Sequence, residues 1–203
     1  MSTPPPGASR RPGRGKALLL AALLAATTPA VAEVAPPREL PPAAEVGGAR
    51  LVLNGSALRT VWGFEVYRIG LFLASPVADA DAILRTDRNP KRVHIIMLRS
   101  VSADQFTGTV QESIDRNFSP AEKELFAAEL SQFLGFFHGG SDLRPGSEVV
   151  LDFDPARGMV ASVDGREAGA IPGPDFYHAI LRLWLAKPLQ ASIREGLLGQ
   201  AGR

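Results

Sequence analysis

Two residues in the stretch Leu58–Pro76, LRTVWGFEVYRIGLFLASP, have types suited to chemistry: Arg59 and Tyr67. The rest of the stretch is crowded with Val, Trp, Phe, Ile and Leu and reads as strand. A guanidinium facing an apolar cavity is what the carboxylate or enolate of a buried ligand needs. A bland account stands beside this one. The Arg59 stem can lie along the sheet with its head in water, and Tyr67 can be an ordinary half-buried strand tyrosine.

Other chemistry is poorly supplied. There is no G-x-S-x-G elbow, no Walker loop and no G-x-G-x-x-G. His94, His138 and His178 share no ligand spacing, and no metal or other cofactor is called for. Asp152 and Asp154 lie i, i+2 on an expected strand and so share a face. They could hold a cation, but a solvated sheet face at a hairpin end is the favoured reading. Glu112 and Asp115, i, i+3 on an expected helix, read as a solvated flank.

The elements that must position Arg59 and Tyr67 follow from pattern. Residues 50–53 read as a first strand and Asn54-Gly55 as a turn. Residues 58–74 give one long strand or two, broken near Gly63. SPVADADAILRTD holds a short helix. RVHIIMLR, residues 92–99, is apolar on both faces and belongs in the middle of a sheet. Ser102 with Gln105 and Ser119 with Glu122 form two capping boxes. Val101 is the staple residue of the first, and Pro120 takes the first helical position of the second. The first helix carries the stripe Phe106, Val110, Ile114. The second carries Leu130, Phe133, Leu134 and Phe137, and ends at Gly139-Gly140.

Three short strands follow: EVVLDFDP, GMVASVDG and REAGAI. Asp164-Gly165 marks a type I′ hairpin. Residues 172–187 form a helix with Phe176, Ile180, Leu183 and Trp184 on one face, and a short helix ends near Gly199. Strands, helices, a meander and helices again make an α+β fold, an antiparallel sheet with helices mainly on one face.

Residues 1–32 read as a secretory signal peptide. Arg10, Arg11, Arg14 and Lys16 precede the apolar run ALLLAALLAA, which is too short to span a bilayer. Ala30-Val31-Ala32 fits the cleavage rule. The expected location is periplasmic or secreted after cleavage near Ala32, with no integral span in the mature form. Arg10-Arg11 leaves the general and twin-arginine routes both open. The whole chain has 22 basic and 21 acidic residues; without the leader's four cations, 18 face 21. That mildly acidic balance argues against a nucleic-acid partner. With no Cys there is no disulfide, so the core alone must hold the fold. Residues 33–49 read as a Pro-rich extended leader and residues 50–203 as one domain.

Three segments together resemble the chalcone isomerase-like family, in particular its exported bacterial branch. They are LNGSALRTVWGFEVYRIGLFLASP, KRVHIIMLRSVSADQFTGTVQESIDRN and DFDPARGMVASVDGREAGAIPGPDFYHAILRLWLAKP. The resemblance implies an open-faced β-sandwich, a long antiparallel sheet with a helical layer, and a ligand cleft between them. In the plant isomerases an Arg on an early strand, a Thr on the next, and a Tyr and an Asn on the first long helix hold the substrate.

Here the Arg is kept as Arg59. The Thr falls at Tyr67, the helix Tyr at Phe106 and the Asn at Ser113. A late substrate-selecting Ser or Thr falls near Tyr177. Losing those hydrogen bonds would cost a cyclase heavily. The Arg and Tyr pair instead resembles the plant fatty-acid-binding branch, where it meets the ligand carboxylate.

The expectation is a non-catalytic binder of a fatty acid or similar small amphipathic acid, with Arg59, Tyr67, Phe106, Ser113 and Tyr177 at the site. Val110 and Phe133 join them as cleft candidates from the helix side. An isomerase of the chalcone-flavanone type is the alternative. A ligand-free interaction module, with Arg59 paired to Glu65 or Glu112, is the third reading.

Overall fold

The computed structural model describes residues 1, 3, 39–138 and 140–200. The signal-peptide reading falls almost wholly outside the described residues. From Glu39 on, seven strands form one antiparallel sheet in sequence order: β1 Ala43–Val46, β2 Ala49–Val61, β3 Phe64–Leu73, β4 Lys91–Met97, β5 Glu148–Asp154, β6 Gly158–Val163 and β7 Arg166–Ile171. Among the described residues six helices are formed: α1 Ala80–Leu84, α2 Ala103–Asn117, α3 Pro120–Leu125, α4 Ala127–Gly135, α5 Asp175–Leu185 and α6 Ala191–Leu197. This is the α+β open-faced sandwich the sequence implies.

Alternation explains the layers. Val93, Ile95 and Met97 of β4 and Val149, Leu151 and Phe153 of β5 join the main core with Ile114, Phe133, Phe176 and Ile180 from the helices. The opposite face carries a smaller cluster of Val46, Leu51 and Phe72 with Leu40 and Leu53. It also carries the Arg92–Asp152 ion pair at 2.6 Å. Asp152 is therefore committed to Arg92 across the β4–β5 ladder.

β2 changes face within its own length. Leu53 pairs with Phe72 and Gly55 with Leu71, so Asn54 is an extra residue, a β-bulge. The sequence reading of Asn54-Gly55 as a turn is corrected: the strand runs on through it. The Asn54 amide braces the bulge by donating to the Val77 carbonyl (3.0 Å) and the Leu197 carbonyl (2.7 Å). Its side-chain oxygen accepts from Val77 N–H at 2.6 Å.

Gly55 then lets α6 land backbone against backbone. A Cβ there would sit 2.2 Å from the Gly196 carbonyl oxygen, and one on Gly196 would sit 2.4 Å from that of Ser56. A second bulge leaves Val66 without a partner on β2, because Arg59 pairs with Tyr67 and Thr60 with Glu65; its carbonyl accepts from Leu98 N–H at 2.8 Å instead.

Trp62 and Gly63 form the two-residue turn between β2 and β3, with φ of 52° and 80°. Both positive angles are what a type I′ turn requires. For a bulky residue that conformation costs about 1–2 kcal/mol.

Both capping boxes are present, at Ser102 and Ser119. The expected second long helix is broken at Phe126 into α3 and α4. It ends at Gly135, earlier than the Gly139-Gly140 stop. Of the expected extended leader, residues 43–46 form β1 on the edge of the sheet, and residues 33–38 lie outside the described residues.

Candidate functional site

Arg59 and Tyr67 sit directly opposite each other on β2 and β3, so their side chains leave the sheet on the same side. That side faces the helices: Ile69, two residues after Tyr67, belongs to the main core, and Ala57, two before Arg59, packs against it. Between sheet and helices lies a cavity of about 100 Å³. Arg59, Val61 and Tyr67 line its strand end. Ile95, Met97, Val149 and Leu151 form its floor. Phe106, Thr109, Val110 and Ser113 of α2 close it, with Phe133 of α4, Phe137 in the turn after it, and Leu183 and Trp184 of α5.

Gln190, at the N-cap of α6, positions the arginine. Its side-chain oxygen accepts from Arg59 Nη1 (3.2 Å), Thr60 N–H (2.9 Å) and Thr60 Oγ1 (3.3 Å). Its amide donates to the Leu58 carbonyl (3.1 Å) and Ser192 Oγ (2.6 Å). Arg59 Nη1 also donates to the Thr60 carbonyl at 3.2 Å. Both bonds leave from Nη1, so Nε and Nη2 are the donors a carboxylate would take. Arg59 bonds neither Glu65 nor Glu112; Glu112 pairs with Arg116 at 3.3 Å instead. The internal ion pair expected of a ligand-free module is therefore corrected.

Burial pushes the Tyr67 phenol above its ordinary value, while the Trp184 indole N–H and the Arg59 charge pull it back. At neutral pH it stays protonated and has an O–H to give. Trp184 was legible in the sequence only as one member of a core stripe. Gln190 gave no sequence signal, because the strand it serves lies more than a hundred residues upstream.

The helix side offers little polarity. Ser113 Oγ donates to the Thr109 carbonyl (3.0 Å) and Thr109 Oγ1 to the Gln105 carbonyl (2.9 Å), so both hydroxyl hydrogens are committed to α2 itself. Phe106 packs edge-on to Phe137 with ring centroids 5.2 Å apart. No lining residue is a carboxylate, histidine, lysine or cysteine.

Four of the five expected site residues thus meet at the cavity, and Tyr177 does not join them. Its hydroxyl donates to the Leu151 carbonyl at 3.3 Å, and its ring packs on Phe153 and His178. Burial, with Asp152 nearby, drives its phenol well above the usual range.

The remaining ionisable clusters lie elsewhere. Buried Lys91 donates to Asp87 and lies 3.2 Å from His178 Nε2, while His178 Nδ1 donates to the Pro174 carbonyl at 2.8 Å. His94 Nε2 contacts Glu148 at 2.7 Å on the far face. Arg182 binds Glu122 at 2.6 Å and the Asn117 carbonyl, tying α5 to α2 and α3.

Residues 32–199 match the family described as chalcone isomerase-like. No curated protein matches the sequence. The fold is similar to that of a crystal structure of a fatty-acid binding protein from Arabidopsis thaliana, with a TM-score of 0.59 at 16% identity. That likeness covers 78% of this chain and 90% of the plant chain. With the match extending over nearly all of the sheet and helices, the chain belongs to the chalcone isomerase-like family.

Proposed function

We propose that this chain is an exported, non-catalytic binder of a small amphipathic acid. The carboxylate would meet Arg59 and Tyr67, and the apolar part would enter the cavity under α2. The observation that carries this reading is one polar end on an otherwise apolar cavity. Arg59 offers Nε and Nη2, Tyr67 offers a protonated phenol, and the walls are mainly Val, Ile, Leu, Met and Phe, with the Thr109 and Ser113 hydroxyl hydrogens turned into α2.

Fatty-acid binding by the plant protein of similar fold supports the ligand class. The basic and apolar leader of residues 1–32 supports export. Cavity size refines the ligand. An empty apolar cavity of roughly 150 Å³ accepts benzene, and this one holds about 100 Å³. At about two-thirds of that volume it takes a short acyl chain; an aromatic ring or a long chain requires α2 to move outward.

The isomerase reading is weaker. With the Thr109 and Ser113 hydroxyl hydrogens turned into α2 and Phe106 lacking a hydroxyl, α2 has no donor to hold a developing oxyanion, and the Trp184 indole N–H is engaged by Tyr67.

Native mass spectrometry of the mature protein from its host tests the proposal. A co-purifying acid of small mass, absent from Arg59→Ala, is the expected result. An apo mass in both proteins, together with turnover of a chalcone, would overturn it in favour of the isomerase.

A further inference from the structure

We propose that the β2–β3 hairpin tip is a membrane-docking element that carries Trp62 and Phe64 into the headgroup region of an anionic bilayer. This stands independently of the ligand reading of the Arg59 cavity.

Trp62 is 93% exposed and Phe64 is 55% exposed. Among the described residues only Met1 and Leu125 are comparable large apolar side chains left in water. Trp62 also holds a positive φ of 52°. Asn or Gly would take that turn position at lower cost. Here the bulkiest side chain bears the strain, and its exposure shows that no packing inside the described chain repays it.

Charge at the tip is complementary to an anionic surface. The Arg99 guanidinium lies 4.3 Å from the Phe64 ring centre and is itself exposed. The groove beside Phe64 is lined by Arg68 and Arg99 against a single carboxylate, Glu65. An aromatic pair with the exposed Arg99 guanidinium beside it suits the interface, where indole sits at headgroup level and Arg meets phosphate. The shape also favours a bilayer over a protein. A stable protein interface needs about 800 Å² per partner, far more than a two-residue turn presents, whereas a bilayer accepts a narrow protrusion.

Position adds a consequence. Arg59 and Val61, just before Trp62 on β2, line the cavity. Docking would bring that cavity to the surface in which amphipathic acids reside.

The test uses the intact chain and vesicles of phosphatidylcholine with phosphatidylglycerol, with phosphatidylcholine alone for comparison. The sequence has two tryptophans, so Trp184→Phe leaves Trp62 as the only emitter. Its emission is expected to shift blue on the anionic vesicles, to resist acrylamide, and to be quenched by bromine on the upper acyl chains. Should that variant not fold, the difference spectrum between wild type and Trp62→Ser gives the same reading.

Trp62→Ser is expected to weaken binding about tenfold. Arg99→Glu is expected to weaken binding to the anionic vesicles and to leave neutral ones little changed. A chain held to the vesicle while Trp62 stays quenchable by acrylamide overturns the proposal. So does wild-type affinity in Trp62→Ser, or burial of Trp62 by a protein partner and not by vesicles.

Discussion

The extra residue at Asn54 is what turns Arg59 toward the helices. Before the bulge, Leu51 and Leu53 point to the far face and join the smaller cluster there. After it, Gly55 pairs with Leu71 and Arg59 with Tyr67, both on the helix side. Without the insertion the period of two would carry Arg59 to the opposite face.

Removal of Asn54 therefore has a different outcome from truncation of its side chain. Asn54→Ala leaves the bulge but unpairs Val77 and Leu197, which is expected to cost about 2–3 kcal/mol in urea unfolding. Deletion of Asn54 shifts the register, so the expected result is an unfolded chain or one that no longer retains an acidic ligand. A stable deletion variant with wild-type ligand retention would show that the bulge does not control facing.

Gln190 should affect binding more than its half-buried setting suggests. Gln190→Ala frees Arg59 and removes the brace on Leu58 and Thr60. Stability is expected to fall by about 1–2 kcal/mol, since water can reach these groups. Gln190→Glu places a carboxylate on Arg59 in competition with the ligand. Calorimetric titration should show weaker binding in both variants, and a larger loss relative to stability in the Glu variant.

Val110→Phe tests the cavity without touching its polar end. The added ring occupies space within the roughly 100 Å³ beneath α2. The expected result is a melting temperature within a few degrees of wild type and loss of ligand retention, because filling a void restores contacts that an empty site lacks. A variant that still binds would place the apolar part of the ligand elsewhere.

The pH dependence of stability separates two clusters. Burial, with Lys91 beside it, holds the His178 imidazole below its ordinary 6.5, and burial does the same to His94. Between the folded value and 6.5 the unfolded chain takes up the proton and the folded one does not. Stability therefore falls as pH drops below 6.5. His178→Gln is expected to flatten that slope in urea melts at pH 7.5 and 5.5.

Glu122 acts lower. Hydrogen bonds from Arg182 and from Ser119 hold its carboxyl down to about 2, against 4.5 for the free group. Its contribution is complete above 4.5 and lost between 4.5 and about 2. Glu122→Gln should cost about 1 kcal/mol at pH 7, after allowance for solvent screening, and nothing near pH 2.

Local signals in the sequence carried most of the architecture. The capping boxes at Ser102 and Ser119 and the Asp164-Gly165 hairpin depend on neighbours a few residues away, and each appears where the spacing puts it. The residue types of the candidate site were legible in the same way, since a cation and a phenol stand out in an apolar strand. Their facing was not legible. It turns on one inserted residue whose brace comes from Val77 and Leu197, so Asn54-Gly55 read as an ordinary turn. Tyr177 was placed by family position, but the register of α5 points its hydroxyl at the β5 backbone. Gln190 was invisible because its partners, Leu58–Thr60, are distant in sequence.

The landing of α6 on Gly55 also bears on how the molecule assembles. Asn54 reaches Leu197 across 143 residues of sequence, and Arg59 reaches Gln190 across 131. Such contacts close only when nearly all of the sheet is in place. The cavity then has no local folding unit of its own, and no fragment of the chain presents its polar end. Occupancy would be felt as a change in the cooperative unfolding of the whole sheet. An added ligand should slow hydrogen exchange in β4 and β5, at the sheet's centre, as much as beside Arg59.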